Sequence, residues 1–536
     1  MRNLWHIVMK FITFLITWRV AAAGSLQLNN ILYISAVASP SHFLWSQQLS
    51  KMLANNGHNV SLLSIYKEGK EHNLHFLKLD GVDEALSKDH TIDYLSMHSM
   101  SPAELLTSFA DLEHLVCTHA ITSKQLLNLL NYPKNFTFHL VIHDHLAGPC
   151  LLLLLERFHF PPLVMATASN IFSSVECILG SPMYPGIIPN YLLDTPPSFG
   201  YFHRLHSFML KAYELLIKRY YSNPHIDRLV KSRFRNVSLV SRMESKAAII
   251  LMNSIDIFDP PEPHIWRVVN VGGLHISDPK PLRALFFPRR NTTYDKCVYI
   301  SFGTNVKMCN LNNHIAQSII TTARLLPHIK FLWKIDTPSD EDIIPGNMIT
   351  FDWFPQNDLL GSGTVDAFIT HGGLLSVQEA IWYGIPMLGI PNYGDQYQNV
   401  RRIERMGIGK KLLLADVNQD SLKNHLLDVI NEERYKQSAT AVSRIIRDKH
   451  TTVITPQRKA LWVVDWVLRN HNKTLNMLDD LNDVGYIQKY SIDVLSTIIL
   501  MICLVISLVY RSTVGFVCFL SKINFSVKSS RKTKTG

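Results

Sequence analysis

Cysteine is scarce in this sequence, and its few copies form no recognisable pattern. Seven cysteines occur among 536 residues, and two of them lie in or next to an apolar run near the C-terminus. The odd number that remains, with no Cys-x-x-Cys pair, argues against a disulfide framework or a zinc site. At most one isolated bridge is expected. The five remaining cysteines are Cys117, Cys150, Cys177, Cys297 and Cys309.

Concentrated positive charge is also absent from most of the chain. The net charge is +10, but six of the basic residues fall within positions 511–536. The rest of the excess is scattered, without the dense basic stripe of nucleic-acid-binding proteins. Nucleic acid is therefore not an expected partner. The six basic residues of the tail are Arg511, Lys522, Lys528, Arg531, Lys532 and Lys534.

The N-terminus has the layout of a cleavable secretory signal. A basic segment precedes an apolar run from Phe11 to Trp18, and small residues from Ala21 to Gly24 follow it. This order predicts a signal peptide over residues 1–23. The alternative is an uncleaved anchor, which Arg19 disfavours because it ends the apolar run early.

A second apolar run extends from Val494 to Tyr510. At about 1.5 Å per helical residue it is just long enough to cross a bilayer. A buried core helix is the alternative, but such a helix would normally carry a polar stripe, and the polar residues here are only Ser and Thr. We expect a transmembrane helix over 491–511 and a basic tail over 512–536. Lysines beyond the span place the tail in the cytosol and the larger region in the lumen.

Two further features fit a lumenal chain with a cytosolic tail. Lys532 and Lys534 have the spacing of a dilysine signal, which predicts a single-pass protein of the endoplasmic reticulum membrane. Asn-x-Ser/Thr sequons are also present, and each is open to glycosylation only where it is exposed. Asn59 falls in a predicted buried strand and is not counted. The others are Asn135, Asn236, Asn291 and Asn472.

Buried strands alternate with helices in two blocks of the chain. The strand Asn30–Val37, a helix that Gly57 ends, and the strand "NVSLLSIY" form one βαβ unit, whose strands must be parallel. The same alternation resumes after about residue 295, from "CVYISFGT" to "PMLGIP". The pattern predicts an α/β fold with two separate α/β blocks.

Domain limits follow from changes in composition. We expect an N-terminal domain over 24–275, a C-terminal domain over 291–455, and returning helices with a juxtamembrane segment over 456–490. The linker, 276–290, lies in a stretch dense in Gly, Pro and charge. Residues 196–235 are aromatic and basic, which favours helices or a lid near the cleft.

The N-terminal block offers a base and a partner for it. His42 lies in the first turn of the helix after the first strand, where the helix dipole favours the neutral ring that a general base needs. Alone, a histidine here is more often structural. Asp144 ends a parallel strand at the same sheet edge, where ligands bind in open α/β folds, and its carboxylate suits an imidazole. His143 and His145 are weaker candidates.

The C-terminal block offers a site for a nucleotide. "SFGT" presents Ser301, Gly303 and Thr304 after a strand, and "THGG" presents His371 and Gly373 before a helix that starts near Ser376. Glycines admit a phosphate close to the backbone, and helix N–H groups point at it. On the first turn of that helix, Glu379 suits the hydroxyls of a ribose.

Aromatic, amide and acidic residues complete the predicted donor site. Trp353 follows a strand and offers a flat platform for a base, beside the amides of Gln356 and Asn357, although a buried core tryptophan is the commoner role. Asp395 and Gln396 emerge at the end of a strand, and a carboxylate beside an amide suits sugar hydroxyls.

The ordered motifs "SFGT", "WFPQNDLL", "THGGLLSVQEA", "GIPMLGIP" and "GDQ" closely resemble the signature of the membrane-bound UDP-glycosyltransferases. "VGGLH" and "IPNYLL" upstream also fit, and the resemblance covers nearly the whole chain. It implies a GT-B architecture, in which two Rossmann-like domains face each other across a cleft. The N-terminal domain would bind the acceptor and the C-terminal domain the UDP-sugar.

The resemblance also implies a role for each site residue. His42 would deprotonate the acceptor with support from Asp144, in a one-step inverting transfer without cofactor or metal. Uracil would lie on Trp353 and Gln356, ribose on Glu379, diphosphate at the two glycine-containing turns, and sugar on Asp395 and Gln396. The donor-binding set is Ser301, Gly303, Thr304, Trp353, Gln356, Asn357, His371, Gly373, Ser376, Glu379, Asp395 and Gln396.

Departures from the family pattern bear on the donor. Vertebrate members typically have Asn at the position of Leu375, and "HGGLLS" resembles the arthropod branch, which favours UDP-glucose. Gly361 and Ser362 also depart from the usual loop. The alternatives are a glucuronosyltransferase and a non-catalytic binder or partner subunit, with homo- or hetero-oligomers possible in either case. A membrane receptor would leave the nucleotide motifs unexplained.

Overall fold

A computed structural model gives the fold of most of the chain. The predicted signal peptide, the linker beyond residue 282, Asn236, Asn291 and Lys534 lie outside the described residues. The chain divides at residues 475–476 into two compact units. The described residues are 28–67, 69–88, 96–146, 148–169, 172–181, 183–194, 200–235, 237–259, 265–282, 294–304, 313–335, 344–474, 486–489 and 491–532.

A seven-stranded sheet forms from the described part of the first half. Its strands are β1 (Asn30–Ser35), β2 (Asn59–Ser64), β3 (Leu74–Lys78), β4 (Leu140–Asp144), β5 (Leu163–Thr167), β6 (Ala247–Met252) and β7 (Val268–Asn270). All pairs are parallel, in the order β3-β2-β1-β4-β5-β6-β7. The order reverses between β1 and β4, and that edge is where such sheets bind ligands.

The second half repeats this plan with six strands in its described residues. They are β8 (Lys296–Ser301), β9 (Ile329–Lys334), β10 (Met348–Phe351), β11 (Ala367–Thr370), β12 (Met387–Gly389) and β13 (Gly409–Lys411). All pairs are again parallel, in the order β10-β9-β8-β11-β12-β13. The order reverses between β8 and β11. Two parallel α/β sheets are therefore confirmed.

Helices connect the strands of both sheets. In the first half they are α1 (Pro40–Asn55), α2 (Val82–Lys88), α3 (Pro102–Ala120), α4 (Lys124–Leu130), α5 (Leu153–Arg157), α6 (Ser173–Ile178), α7 (Tyr201–Leu216), α8 (Asn223–Arg233) and α9 (Val240–Glu244). In the second they are α10 (Asn313–Leu325), α11 (Gln356–Gly361), α12 (Leu374–Tyr383), α13 (Gln396–Arg405), α14 (Gln419–Asn431), α15 (Glu433–Thr452) and α16 (Pro456–Thr474). Shorter turns are the 3₁₀ segments Ser96–Ser99, Pro149–Leu152 and Leu414–Asp416 and the π turn Ile217–Ser222.

The strands are apolar because helices cover both faces of each sheet. Successive residues of β1 alternate between two cores: Leu32 and Ile34 belong to one, Ile31 and Tyr33 to the other. Helix α16 supplies Ala460 and neighbouring apolar residues to the second of these cores. The chain thus returns from the second sheet to pack against the first.

The segment that leaves the first sheet is held by both halves. A Cβ on Gly272 would lie 2.4 Å from the backbone of Ser254, so only glycine fits there. The Gly273 N–H donates to Gln378 of α12 at 3.1 Å, and Gln457 of α16 donates to the carbonyl of Leu274 at 3.1 Å. The stretch just before the predicted linker is therefore fixed in place.

The second compact unit contains α17 (Tyr486–Lys489) and α18 (Ile492–Lys532). Among the described residues, Ile492–Ser521 is the one helical segment long and apolar enough to cross a membrane. This segment extends past residue 511, where the transmembrane helix was predicted to end. The helix continues through Arg511 into the region that was expected to be the tail.

Candidate active site

His42 and Asp144 meet where the strand order of the first sheet reverses. Helix α1 starts after β1 with Pro40, so His42 is its third residue, as expected. The His42 Nδ1 lies 3.3 Å from the Asp144 Oδ2 at the end of β4. The Asp144 carboxylate is fully buried, and its Oδ1 accepts from the Leu146 N–H at 3.2 Å. The carboxylate is thus positioned to fix one tautomer of the imidazole.

The two histidines that flank Asp144 occupy different environments. His143 is fully buried, and burial lowers its pKa to about 4. His145 lies on the wall of the cavity described below, with its Nε2 3.2 Å from the Ser174 hydroxyl. Burial also lowers the pKa of His145 well below its usual value, so both rings are neutral.

The two predicted phosphate turns lie side by side where the second sheet reverses. The strands β8 and β11 that precede them are paired, with Ser301 opposite Thr370. A Cβ on Gly303 would lie 2.8 Å from the His371 Nε2, and one on Gly373 would lie 2.4 Å from it. Glycine is therefore required at both positions because any side chain there would clash with the imidazole of His371. Ser301 is buried, and its hydroxyl accepts from the Gly303 N–H at 3.4 Å.

His371 is held neutral between these glycines. Burial, and after it the charge of Lys334, lowers its pKa to about 4. Its Nδ1 has no hydrogen-bond partner among the described residues. A neutral imidazole keeps one N–H, which is the group that a phosphate oxygen would need.

Lys334, at the end of β9, is a basic residue of this region that the sequence analysis missed. Its Nζ donates to the Gly303 carbonyl at 3.0 Å and lies 4.7 Å from the centre of the Trp353 ring. Burial lowers its pKa to about 8. Trp353 is 53% exposed, so it is a surface platform and not a core residue.

Gln356 and Glu379 form one hydrogen-bonded group. The Gln356 Nε2 donates to the Glu379 Oε2 at 2.6 Å and to the Ser376 hydroxyl at 2.9 Å. Burial raises the pKa of Glu379 to about 7. The helix that carries Glu379 starts at Leu374, so this residue lies in the second helical turn and not the first.

Asn357 points to the segment that joins the two sheets. Its side chain donates to the Ser277 carbonyl at 3.0 Å and accepts from the Tyr383 hydroxyl at 3.1 Å. These contacts give it a positioning role in the structure, and the predicted donor contact stays a prediction.

Asp395 and Gln396 lie at the start of α13, as expected from the strand that precedes them. The Asp395 Oδ2 accepts from the Asn399 amide at 2.9 Å, and burial raises the pKa of this carboxyl. The Gln396 Oε1 accepts from the N–H groups of Asn392 and Tyr393, at 2.8 and 3.2 Å. The carbonyl of this amide is therefore engaged by the backbone.

A cavity of about 670 Å³ joins the two sheet edges. His42 lines it from the first half, and Asp395 and His371 line it from the second. The nucleoside residues predicted from sequence, Trp353, Gln356 and Glu379, lie outside its lining. The predicted site residues on its wall are His42, Gly303, Thr304, His371, Gly373, Ser376, Asp395 and Gln396.

Side chains tie the two halves together around this cavity. Arg402 of α13 donates to Asp259 at 2.6 Å, and Gln398 donates to the Asn190 carbonyl at 2.8 Å. Asp194 bonds to Arg401 and Lys411. The cleft between the sheets is thus spanned by direct polar contacts.

Solved structures of glycosyltransferases share this fold. The glycosyltransferase of kitacinnamycin matches with a TM-score of 0.55 and 16% identity, over 82% of this chain and 99% of the other. The calicheamicin glycosyltransferase CalG4 matches with a TM-score of 0.51 and 16% identity, over 83% and 99%. Both likenesses confirm the GT-B architecture.

Sequence comparison places the chain in a family. The model of the UDP-glucuronosyl and UDP-glucosyl transferases matches residues 36–528. UDP-glucosyltransferase 2 of Dactylopius coccus is 23% identical over 82% of this chain and 84% of its own length. UDP-glucuronosyltransferase 2C1 of Oryctolagus cuniculus is 27% identical over 89% and 96%. The match begins directly after β1 and includes the other twelve strands of the two sheets and most of the apolar C-terminal helix. The chain belongs to the UDP-glucuronosyl and UDP-glucosyl transferase family.

Proposed function

We propose that this protein transfers a hexose from a UDP-sugar to a hydroxyl or carboxyl group of a small lipophilic acceptor, with inversion. One observation carries the proposal: a single cavity brings the His42 ring together with Asp395, His371 and Gly303. A candidate base and a candidate anion site therefore face the same space. The acceptor oxygen attacks the anomeric carbon, and UDP leaves with the electron pair of the broken bond.

His42 is the proposed base of this step. The hydrogen bond from its Nδ1 to Asp144 leaves Nε2 to accept the proton of the acceptor. The buried carboxylate then stabilises the imidazolium that forms. An acceptor carboxylate is already ionised and needs only to be positioned.

The donor half supplies the charge that the departing UDP requires. The turns that contain Gly303 and Gly373 offer backbone N–H groups, and His371 offers a neutral N–H donor. Lys334, bonded to the Gly303 carbonyl, adds a positive charge next to this turn. These groups support departure of UDP without a metal or cofactor. Trp353 with Gln356 is the proposed uracil site, and Glu379 the ribose site.

Glucose is the favoured sugar. Asp395 and the amide of Gln396 suit neutral sugar hydroxyls, and the Asp395 carboxylate would repel the carboxylate of glucuronate. A relative named as a UDP-glucosyltransferase supports this choice. Relatives named as glucuronosyltransferases keep UDP-glucuronate as the second candidate.

The acceptor is expected to be lipophilic because apolar side chains dominate the wall on the side of the first sheet. They include Val37, Leu106, Phe109, Val116, Leu146 and Phe172.

We also propose that the catalytic region lies in the lumen of the endoplasmic reticulum. The disulfide between Cys117 and Cys150 supports this, since such bonds persist in oxidising compartments. Asn135 is exposed, so its sequon is open to glycosylation there. The half-buried side chain of Asn59 bonds to Asn30 and His75, which disfavours modification.

A UDP-release assay on the full-length protein tests the proposed function. UDP-glucose, UDP-glucuronate and UDP-galactose are each offered with a panel of lipophilic alcohols, phenols and carboxylic acids. We expect acceptor-dependent release, fastest with UDP-glucose. A protein that binds UDP but releases none from any donor would instead be the non-catalytic binder.

A further inference from the structure

Helix α7 and the π turn Ile217–Ser222 turn their apolar side to the outside. The exposed residues recur every three or four positions, with exposures from 38% to 79%. We call them the aromatic face. The face consists of Tyr201, Phe202, Leu205, Phe208, Met209, Tyr213, Leu216, Tyr220 and Tyr221.

The opposite, buried side of the same segment is mainly polar. Ser207, Lys211, Glu214 and Ser222 are buried, which inverts the usual pattern of a surface helix. Lys211 donates to Glu176 at 3.1 Å. Rolling the helix to bury its apolar side would break such contacts, so the aromatic face is a fixed feature of this surface.

Further contacts anchor this polar side. The Glu214 carboxylate accepts from the Ser174 N–H at 3.0 Å. The Lys218 Nζ lies 3.4 Å from Glu113 and 3.1 Å from Glu244. Ion pairs and hydrogen bonds thus hold the segment to the core together with the buried side chain of Leu210.

The charge around the aromatic face is mainly basic, although the exposed carboxylate of Asp111 lies beside it. Within the described residues of 200–235, the two carboxylates are engaged: Glu214 is buried, and Asp227 accepts from the Val240 N–H at 2.8 Å. Asp111 of α3 accepts from the Tyr221 hydroxyl at 2.7 Å. Exposed cationic residues within and after the face include Arg219, Arg228, Lys231, Arg233 and Arg235.

We propose that the aromatic face lies on an anionic membrane surface. Amphipathic helices with aromatic and aliphatic residues on one side, flanked by Lys and Arg, bind at the lipid headgroup boundary. An exposed apolar patch on a soluble surface marks an interaction site. The basic flank complements anionic headgroups, and the chain carries a helix apolar enough to span a bilayer, so lipid fits better than a second protein.

The same segment separates this surface from the cavity. Ile217, Lys218 and Ser222 of the π turn line the cavity, while Tyr220 and Tyr221 between them face outward. A lipophilic molecule dissolved in the bilayer would therefore meet the protein next to the acceptor site. This consequence rests on the proposed function, whereas the membrane contact itself does not.

Fluorescence of the full-length protein in nanodiscs tests the contact. Phe202→Trp places an indole on the aromatic face, and Ile445→Trp places the matched control on α15, where Ile445 is 57% exposed. The parent protein supplies the background of the native tryptophans. With acyl-brominated phosphatidylcholine and phosphatidylserine, we expect at least twofold stronger quenching of the added signal for Phe202→Trp than for Ile445→Trp. Equal quenching of the two would overturn the proposal.

Changing the charge of the lipid and of the basic residues distinguishes a membrane from a protein partner. The pair Arg228→Glu and Arg233→Glu should reduce the quenching at position 202 in phosphatidylserine discs towards the level in pure phosphatidylcholine. Quenching that ignores both lipid charge and these substitutions would refute the anionic surface. A blue shift of the added indole that appears in detergent and grows with protein concentration, without quenching by lipid, would assign the face to a second copy. UDP binding, measured for every variant, reports folding independently of activity.

Discussion

The Gln356 amide donates a 2.6 Å hydrogen bond to the Glu379 carboxylate, which joins two residues expected to bind different parts of the nucleotide. Because the Gln356 Oε1 also accepts from the Tyr299 hydroxyl at 3.2 Å, the amide orientation is fixed from both ends. The uracil and ribose sites are therefore coupled, and a change at Glu379 should also alter contacts of the base.

Replacement of Glu379 should make stability less dependent on pH. Burial raises the pKa of this carboxyl to about 7, above its ordinary value of 4.5. The folded state thus binds more protons than the unfolded state between these pH values, and this group makes the fold less stable as pH rises through that window. The penalty at pH 8 is at most on the order of 3 kcal/mol. Glu379→Gln should raise the thermal unfolding midpoint at pH 8 and leave it nearly unchanged at pH 4.5.

The exposed Glu404 supplies the control for this measurement. Glu404→Gln removes the same charge from the surface of α13 and should not alter the pH dependence. If Glu379→Gln and Glu404→Gln showed the same pH dependence of the unfolding midpoint, the raised pKa of Glu379 would be contradicted. In a separate titration, Glu379→Gln should weaken UDP binding because one acceptor for the ribose hydroxyls is lost.

Much of the fold was predictable because the strands are continuous apolar runs. β1, β4, β8 and β11 all showed this pattern, and the site residues follow directly at their ends. β13 was not predicted, since three residues with two lysines give no such signal. β6 was not predicted either, although its apolar run is as strong as that of β4 and its residues gave the same signal.

The pairings within the site were less predictable. The contact of Lys334 with Trp353 depends on the register of β9 and β10, which sets Lys334 opposite Phe351. The bond from Gln356 to Glu379 depends on how α11 packs against α12. Neither arrangement follows from spacing along the chain, because both depend on tertiary packing.

His42 and Asp144 should act as one unit in transfer. His42→Ala should lower kcat by about 10²–10⁴, the usual contribution of general base catalysis, while UDP binding persists. Asp144→Asn should also lower kcat, because a neutral amide cannot stabilise the imidazolium as the carboxylate does. If Asp144 acts through His42, the double variant should be no slower than His42→Ala.

Kinetics with UDP-sugar at saturation, and calorimetric titration with UDP, measure these effects. His145→Gln alters a neighbouring cavity residue and should change kcat by less than about tenfold, well below the roughly 10²-fold lower limit for loss of a general base. Full activity of His42→Ala would rule out the base assignment. A multiplicative loss in the double variant would show that Asp144 acts independently of His42.

The Cys117–Cys150 disulfide should contribute strongly to stability. It closes a loop with a sequence separation of 33, and both cysteines are fully buried. Closing a loop of this length lowers the entropy of the unfolded chain and so raises the free energy of unfolding by roughly 3–4 kcal/mol. Cys150→Ala should therefore lower the denaturant midpoint clearly, whereas Cys297→Ala, at a thiol, should have a smaller effect. Equal midpoints for Cys150→Ala and the parent would contradict this estimate.

Lys334 should strengthen donor binding while it is protonated. Its Nζ bonds to the carbonyl of Gly303, a residue on the wall of the cavity, and burial lowers its pKa to about 8. Below this pH the ammonium attracts the diphosphate of a UDP-sugar, and the attraction is lost as pH rises past 8. Lys334→Met should weaken UDP-glucose binding roughly tenfold at pH 7, the effect of a charged hydrogen bond worth about 1.5 kcal/mol.

The pH dependence distinguishes this charge effect from a packing defect, because a packing defect would weaken binding equally at every pH. In the parent, calorimetric affinity for UDP-glucose should fall between pH 7 and pH 9, and in Lys334→Met this step should be much smaller. Lys330→Met, on the same strand but over the ring of Tyr294, removes an equivalent charge away from Gly303 and should retain the step. If Lys334→Met retained the full step as well, another group would have to carry the titration. Lys334 would then serve only to hold the Gly303 turn and the Trp353 ring in place.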